Sequence, residues 1–352
     1  MNETNTFKLD STGYLSQDDT KRYYSRIGLF CFILGTVSFL TSIAASVIIG
    51  AFFGWLTKDS LTLSILNYAI SFIAIYCIAT PLAMLSIKPL PRIRPIKEKL
   101  RAPHFIAFFC ISFTFMQVGS YFSNILIMIT ETLSNKTLTN PVEQQLSTGN
   151  LLLSAVFVGI LFPILEELLF RKLLCNRLLP LGEKYAIIIS AAIFGFIHGN
   201  LYQFAYAFLV GLLFGYVYVK TGKLIYSIIL HCAVNLYSGV FASYVISKVP
   251  IEKLSEIFLS EDALTSTDAL LEQLSPYAAE LTLYMIYSYL LMGLSIAGFI
   301  ILFIAVRKQK ITLELGILPP AREHRIANFF LTGGVAAAIA FIAIKFIYSI
   351  AF

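Results

Sequence analysis

Residues 151–175 read LLLSAVFVGILFPILEELLFRKLLC. A helix needs about 20 largely apolar residues to cross the hydrocarbon layer of a bilayer, and this run supplies them. It also carries Glu166, Glu167 and Arg171 in its second half. Charges are expensive at that depth, and where they occur they face a protein interior or a wet cavity. The stretch therefore reads as a membrane-spanning helix with a polar site on one face.

The rest of the 352-residue chain has the same character. Hydrophobic residues make up 58% and charged residues 13%, with a mean hydropathy of +0.79, whereas soluble chains hold about 25% charged residues. With 12 Pro and 20 Gly the chain is neither a collagen-like nor a disordered polymer. The expected fold class is all-α, a polytopic membrane helical bundle. Nine apolar runs are candidate spans: 27–54, 62–86, 104–130, 151–175, 184–199, 201–219, 224–246, 281–306 and 327–350. The count is about nine, or eight if one of the short runs 184–199 and 201–219 is re-entrant. The first run is too long for a signal-peptide core of about 7–15 residues, so it reads as a retained span.

Charge placement tests the segmentation. With the N-terminus in the cytoplasm and a crossing at every run, cytoplasmic segments together with the adjoining ends of the runs (Arg171, Lys172 and Lys184) hold 21 of the 26 Lys and Arg, outer segments hold four, and Lys345 lies near the end of the last run. The organisation that follows is a polar cytoplasmic tail at 1–26, N-terminal transmembrane helices at 27–130 with a basic cytoplasmic segment at 87–103, and a membrane core at 151–246. An acidic extracytoplasmic segment at 247–280 precedes C-terminal helices at 281–352. Within the acidic segment, Ile251, Leu254, Ile257 and Phe258 have the spacing of a short amphipathic helix. The net charge of +6 does not indicate nucleic acid, because no basic patch is interleaved with exposed aromatics. The five cysteines, Cys31, Cys77, Cys110, Cys175 and Cys232, show no metal-ligand spacing and read as core or lipid-facing thiols.

Few other ionisable groups fall inside the runs. His198 ends the fifth, and His231 with Asn235 sits in the seventh, while His104 and His324 lie at boundaries. Residues four apart share a helix face, which sets Glu167 over Arg171, Phe194 with His198, and His231 with Asn235. Glu166 points about 100° away from Glu167. One carboxylate is thus neutralised by the arginine and the other left free. Taken singly, each group also reads as a structural ion pair or a helix–helix hydrogen bond. Together they suit hydrolysis of an amide by water. A carboxylate in an apolar cavity is a good general base, here Glu166, and His198 can hold the water. His231 and Asn235 can donate to the developing oxyanion. No cofactor is expected. A divalent metal such as zinc, held by Glu166, His198 and His231, is the competing arrangement, although His-Glu-x-x-His is absent. Depths agree imperfectly: by a rise of about 1.5 Å per residue, Glu166 and His231 lie roughly 10 Å from the cytoplasmic face and His198 roughly 20 Å. Pro163, Gly195 and Gly199 are sites where kinks could close that gap.

Three motifs carry a resemblance. Glu166-Glu167-Leu168-Leu169-Phe170-Arg171, Phe194-Gly195-Phe196-Ile197-His198 and His231-Cys232-Ala233-Val234-Asn235 resemble, in order, the Glu-Glu-x-x-x-Arg, Phe-x-x-x-His and His-x-x-x-Asn motifs of the CPBP family. These are CAAX proteases and bacteriocin-processing enzymes, also called Abi, related to CAAX prenyl endopeptidase type 2. The resemblance covers roughly 150–240. It implies an all-helical core and an intramembrane endopeptidase in which Glu166 activates water with His198 beside it. It further implies that His231 and Asn235 stabilise the oxyanion, with Glu167 and Arg171 shaping the site. The family has been described both as metalloproteases and as metal-free. Its members act in CAAX-type processing, peptide maturation or bacteriocin self-immunity. The expected partners are a peptide or small membrane-protein substrate and the lipid bilayer, in a multi-pass protein of a bacterial plasma membrane. The alternative is a non-enzymatic membrane scaffold or immunity protein that binds a peptide or protein partner.

Overall fold

The computed structural model describes residues 7–140, 150–260, 266–321, 327–330 and 332–351. His324 lies outside them. The described residues are helical, with isolated bridges and no strand. In chain order the main helices are α1 (Gln17–Phe52), α2 (Ser60–Ile87), α3 (Ala102–Ser134), α4 (Leu151–Leu181), α5 (Glu183–Ile197), α6 (Leu201–Thr221), α7 (Leu224–Lys248), α8 (Ile251–Phe258), α9 (Thr267–Arg307) and α10 (Gly333–Ala351). Seven, namely α1–α4, α6, α7 and α9, are long and apolar enough to cross a membrane, and α10 holds a shorter apolar stretch, Gly333–Tyr348.

Each of the nine apolar runs contains a helix, but the two short runs separate. The run 201–219 is a helix of 21 residues. The run 184–199 is a helix of only 15 residues, about 22 Å long at the α-helical rise, against roughly 30 Å of hydrocarbon. The fifth run is thus the short one, and the count stays roughly consistent with the expected eight or nine. The reason for the short helix is local: Gly199 takes φ +64 and Asn200 caps α6 by accepting a hydrogen bond from the Gln203 amide, so the chain reverses there. The arms of this hairpin are tied at their far ends by Lys220 and Glu183, 2.5 Å apart.

α6 packs between α3 and α5, α3 also packs on α9, and α1 packs on α2 and α10. The contact of α3 with α6 needs Gly119, since a Cβ there would overlap the Tyr206 backbone. Small residues allow such close approach between membrane helices, where burial of apolar surface supplies little drive. Large apolar side chains such as Tyr289, Leu290, Phe299 and Phe303 stay exposed on α9, as lipid-facing residues must. α8 matches the expected amphipathic element, with Leu254 buried and Ile251 and Phe258 exposed.

At one end of the bundle the basic segments are joined to one another. Leu15 N–H donates to the Pro319 carbonyl, Ile93 N–H to Asn176, Glu98 N–H to Thr221 and Leu318 N–H to Pro180, at 2.8–2.9 Å. The segments that the charge rule assigns to the cytoplasm thus meet at one end. Several helices also contain wide π turns: Ile73–Ala79 in α2, Phe157–Leu161 and Leu168–Cys175 in α4, and Leu236–Phe241 in α7. In α4 the first of these precedes Pro163. Proline lacks an N–H and crowds the carbonyl four residues back, here that of Gly159, which lies inside the wide turn.

Candidate active site

α4 carries both glutamates. Glu167 and Arg171 have no exposed surface. Arg171 Nε donates to Glu167 Oε2 at 3.1 Å and its Nη1 to Ser190 Oγ of α5 at 3.3 Å. The guanidinium also lies 5.5 Å from the centre of the Phe194 ring, near enough for a cation–π attraction. A buried charge needs such company.

The other oxygen of Glu167 is not idle. His231 Nδ1 lies 3.2 Å from Glu167 Oε1, while His231 Nε2 lies 3.5 Å from Glu166 Oε2. One imidazole on α7 thus bridges the two adjacent carboxylates of α4. A hydrogen bond at one ring nitrogen fixes the tautomer and leaves the other for chemistry. Because Glu167 is committed to Arg171, it is the fixed acceptor for Nδ1–H, and Nε2 faces Glu166. Glu166 keeps 21% of its side chain exposed whereas Glu167 keeps none, which separates the free carboxylate from the structural one.

Phe194 holds the rings apart. Its centroid lies 5.1 Å from that of His198 and 5.7 Å from that of His231, edge-on in both cases. His198 caps α5, and its Nδ1 lies 2.7 Å from the Phe194 carbonyl. Asn235 donates from Nδ2 to the Val158 carbonyl at 3.0 Å, tying α7 to the wide turn of α4 and leaving one N–H of the amide. Glu166, His198, His231 and Asn235 all line one cavity of about 630 Å³ with Phe194, Tyr206 and Lys345.

Two points depart from the spacing argument. The ring in contact with Glu166 is His231; His198 makes no hydrogen bond or ion pair with either glutamate among the described residues. Spacing places residues along one helix and cannot say which neighbour reaches across. The offset along the chain axis does not keep Glu166 and His198 apart, because His198 and the turn at 198–200 line the same cavity as Glu166. Among the described residues no three His, Cys, Asp or Glu form a group able to hold one, and both nitrogens of His231 already face carboxylates. Cys232 turns away, towards the Ile160 carbonyl. Sequence reasoning missed Ser190 and the place of Lys345. The signal for Lys345 was present, as a lone cation inside an apolar run.

Residues 148–237 match the model of a family described as type II CAAX prenyl endopeptidase Rce1-like. The chain is also 28% identical over 126 residues to the UPF0177 protein YxdF of Lactococcus lactis subsp. lactis (strain IL1403), covering 36% of this chain and 70% of that protein. No solved structure matches. The matched segment runs from the start of α4 into α7, and so contains the seven residues of the three motifs and both helices that meet at His231.

Proposed function

We propose that this multi-pass membrane protein is an intramembrane endopeptidase of the CAAX protease type using water activated by Glu166, a reading supported by the match of residues 148–237 to that family's model. The observation that carries the reading is the placement of Glu166 Oε2, partly exposed on the cavity wall, 3.5 Å from His231 Nε2. A base must be ionised and accessible, and the imidazole beside it stabilises its charge.

In this reaction a water in the cavity gives a proton to Glu166 as its oxygen attacks the peptide carbonyl. The carbonyl oxygen becomes an oxyanion, stabilised by the free N–H of Asn235 and by an N–H of His231, the ring that Glu167 orients through Nδ1. The C–N bond breaks as Glu166 returns its proton to the departing nitrogen, which leaves as an amine beside a carboxylic acid. His198, held at Nδ1, offers its second nitrogen to the water. Glu167 and Arg171 fix the orientation of His231, and Phe194 spaces the two rings. No step runs through a metal ion. The substrate is a peptide or small membrane protein, and the protein resides in a bacterial plasma membrane with its N-terminus in the cytoplasm.

Glu166→Gln tests the assignment. A general base contributes about 10²–10⁴-fold to rate, so the purified variant in nanodiscs should lose at least a hundredfold in peptide cleavage while keeping the thermal unfolding of the parent. Peptide release, read by mass spectrometry, at the parent rate would remove Glu166 from the role. A phenotype kept in full by cells carrying E166Q would favour a scaffold.

A further inference from the structure

Among the described residues, Lys345 is the one charged residue on the cavity wall that this mechanism does not use. It lies on α10, outside the segment 148–237. Its Nζ donates to the carbonyl of Ile197, the last residue of α5, at 3.2 Å. Its stem crosses Gly199, where a Cβ would overlap Cδ, Cε and Nζ of Lys345. The turn that carries His198 thus leaves room for this side chain.

A cation near the last carbonyls of a helix is favourable, and the Ile197 bond belongs to that category. It does not account for the whole group. An ammonium has three donors, and one carbonyl occupies one of them. Among the described residues no carboxylate lies within 4.0 Å of Nζ; the ion pairs there involve Arg171, Lys220, His231 and Lys253. A lysine within a membrane bundle ordinarily pairs with an acid or marks a ligand path. Here it faces a cavity large enough for part of a peptide, whose wall combines apolar and aromatic side chains with neutral polar ones such as Ser38, Ser42, Ser71, Asn200 and Gln203. The acid of the cavity, Glu166, is held instead by His231 on α7.

We propose that Lys345 is the anion subsite of this cavity and binds a carboxylate of the substrate peptide, so that it determines specificity. The inference rests on the peptidase reading for the nature of the ligand. The carboxylate comes from the C-terminus of the peptide or from an Asp or Glu side chain near the scissile bond.

The test measures binding without turnover. Protein carrying E166Q in nanodiscs is titrated with one short, labelled apolar peptide in three forms: free C-terminal acid, C-terminal amide, and C-terminal amide with one Gln replaced by Glu. Fluorescence anisotropy reads the affinity. The acid form, or the Glu-containing amide, should bind about tenfold tighter than the uncharged amide, and whichever does so identifies the source of the carboxylate. Adding Lys345→Gln, which keeps an N–H for the Ile197 carbonyl but not the charge, should abolish the preference, and Lys345→Arg should retain it. Equal affinity for all three forms, or a preference that persists in K345Q, would overturn the proposal. Protein with Glu166 intact is assayed for cleavage of the same peptides. Charge preference without cleavage counts against the hydrolytic reading alone, and cleavage indifferent to charge counts against the role of Lys345 alone.

Discussion

Replacing Arg171 by Met would leave the Glu167 carboxylate enclosed without a cation. Both side chains are fully buried, the Nε–Oε2 separation is 3.1 Å, and the guanidinium also bonds Ser190 and overlies Phe194. Breaking a buried pair by removing one partner costs about 3–5 kcal/mol, because the remaining charge cannot be hydrated. Arg171→Met should therefore destabilise the bundle by about that amount, and Glu167→Gln by a comparable one. The double variant has no charge left to strand, so it should lose less than the two single losses combined, with a coupling of about 2 kcal/mol. The assay is a double-mutant cycle on unfolding free energies, from circular dichroism during SDS titration of protein in mixed micelles. Single losses that add to within about 0.5 kcal/mol would show two independent sites and refute the idea of one electrostatic unit behind His231.

Asn235→Leu should lower kcat by about a hundredfold or more, the effect of losing one oxyanion donor, with little change in KM; single-turnover kinetics would separate the two. Gly199→Ala should cost more than about 1 kcal/mol, because Ala is strained at positive φ and its Cβ would overlap Lys345. Gly199→Asn tolerates the dihedral and keeps only the crowding, so its thermal midpoint should fall by less. Outside the spans, Asp59 caps α2 by accepting hydrogen bonds from the Thr62 amide and hydroxyl, both at 2.8 Å, and these hold its carboxyl below the usual value. A depressed folded value means that the cap contributes fully above the unfolded pKa, about 4, and is lost as pH falls through the folded value. Amide exchange across residues 58–66 should speed up over that acid range, and Asp59→Asn should remove the dependence.

The helices were legible because membrane helices declare themselves by length and hydropathy, and spacing alone set Arg171 beside Glu167. A largely apolar helix of 15 residues followed by His198-Gly199-Asn200 looks much like part of a span; the left-handed glycine and the Asn200 cap mark where it stops. Contacts between helices were not legible. That His231 reaches both glutamates depends on the tilt of α7 against α4, and that Lys345 enters the cavity depends on how α10 lies over the 198–200 turn. Neither follows from periodicity, which describes one helix at a time.

The wide turns of α4, at Phe157–Leu161 and Leu168–Cys175, flank the glutamate pair. Each such turn accommodates residues beyond the α-helical repeat. Deleting one codon from the first would close the ladder into a regular α-helical turn, carrying the Val158 carbonyl, which the wide turn presents, away from Asn235. Deleting one from the second would close the turn in the same way and shift Arg171, which lies within it, relative to Glu167 and Ser190. This stretch of the gene can therefore exchange letters freely at its lipid-facing positions yet hardly lose or gain one. Descendants of the protein should diverge here by spelling and remain fixed in length.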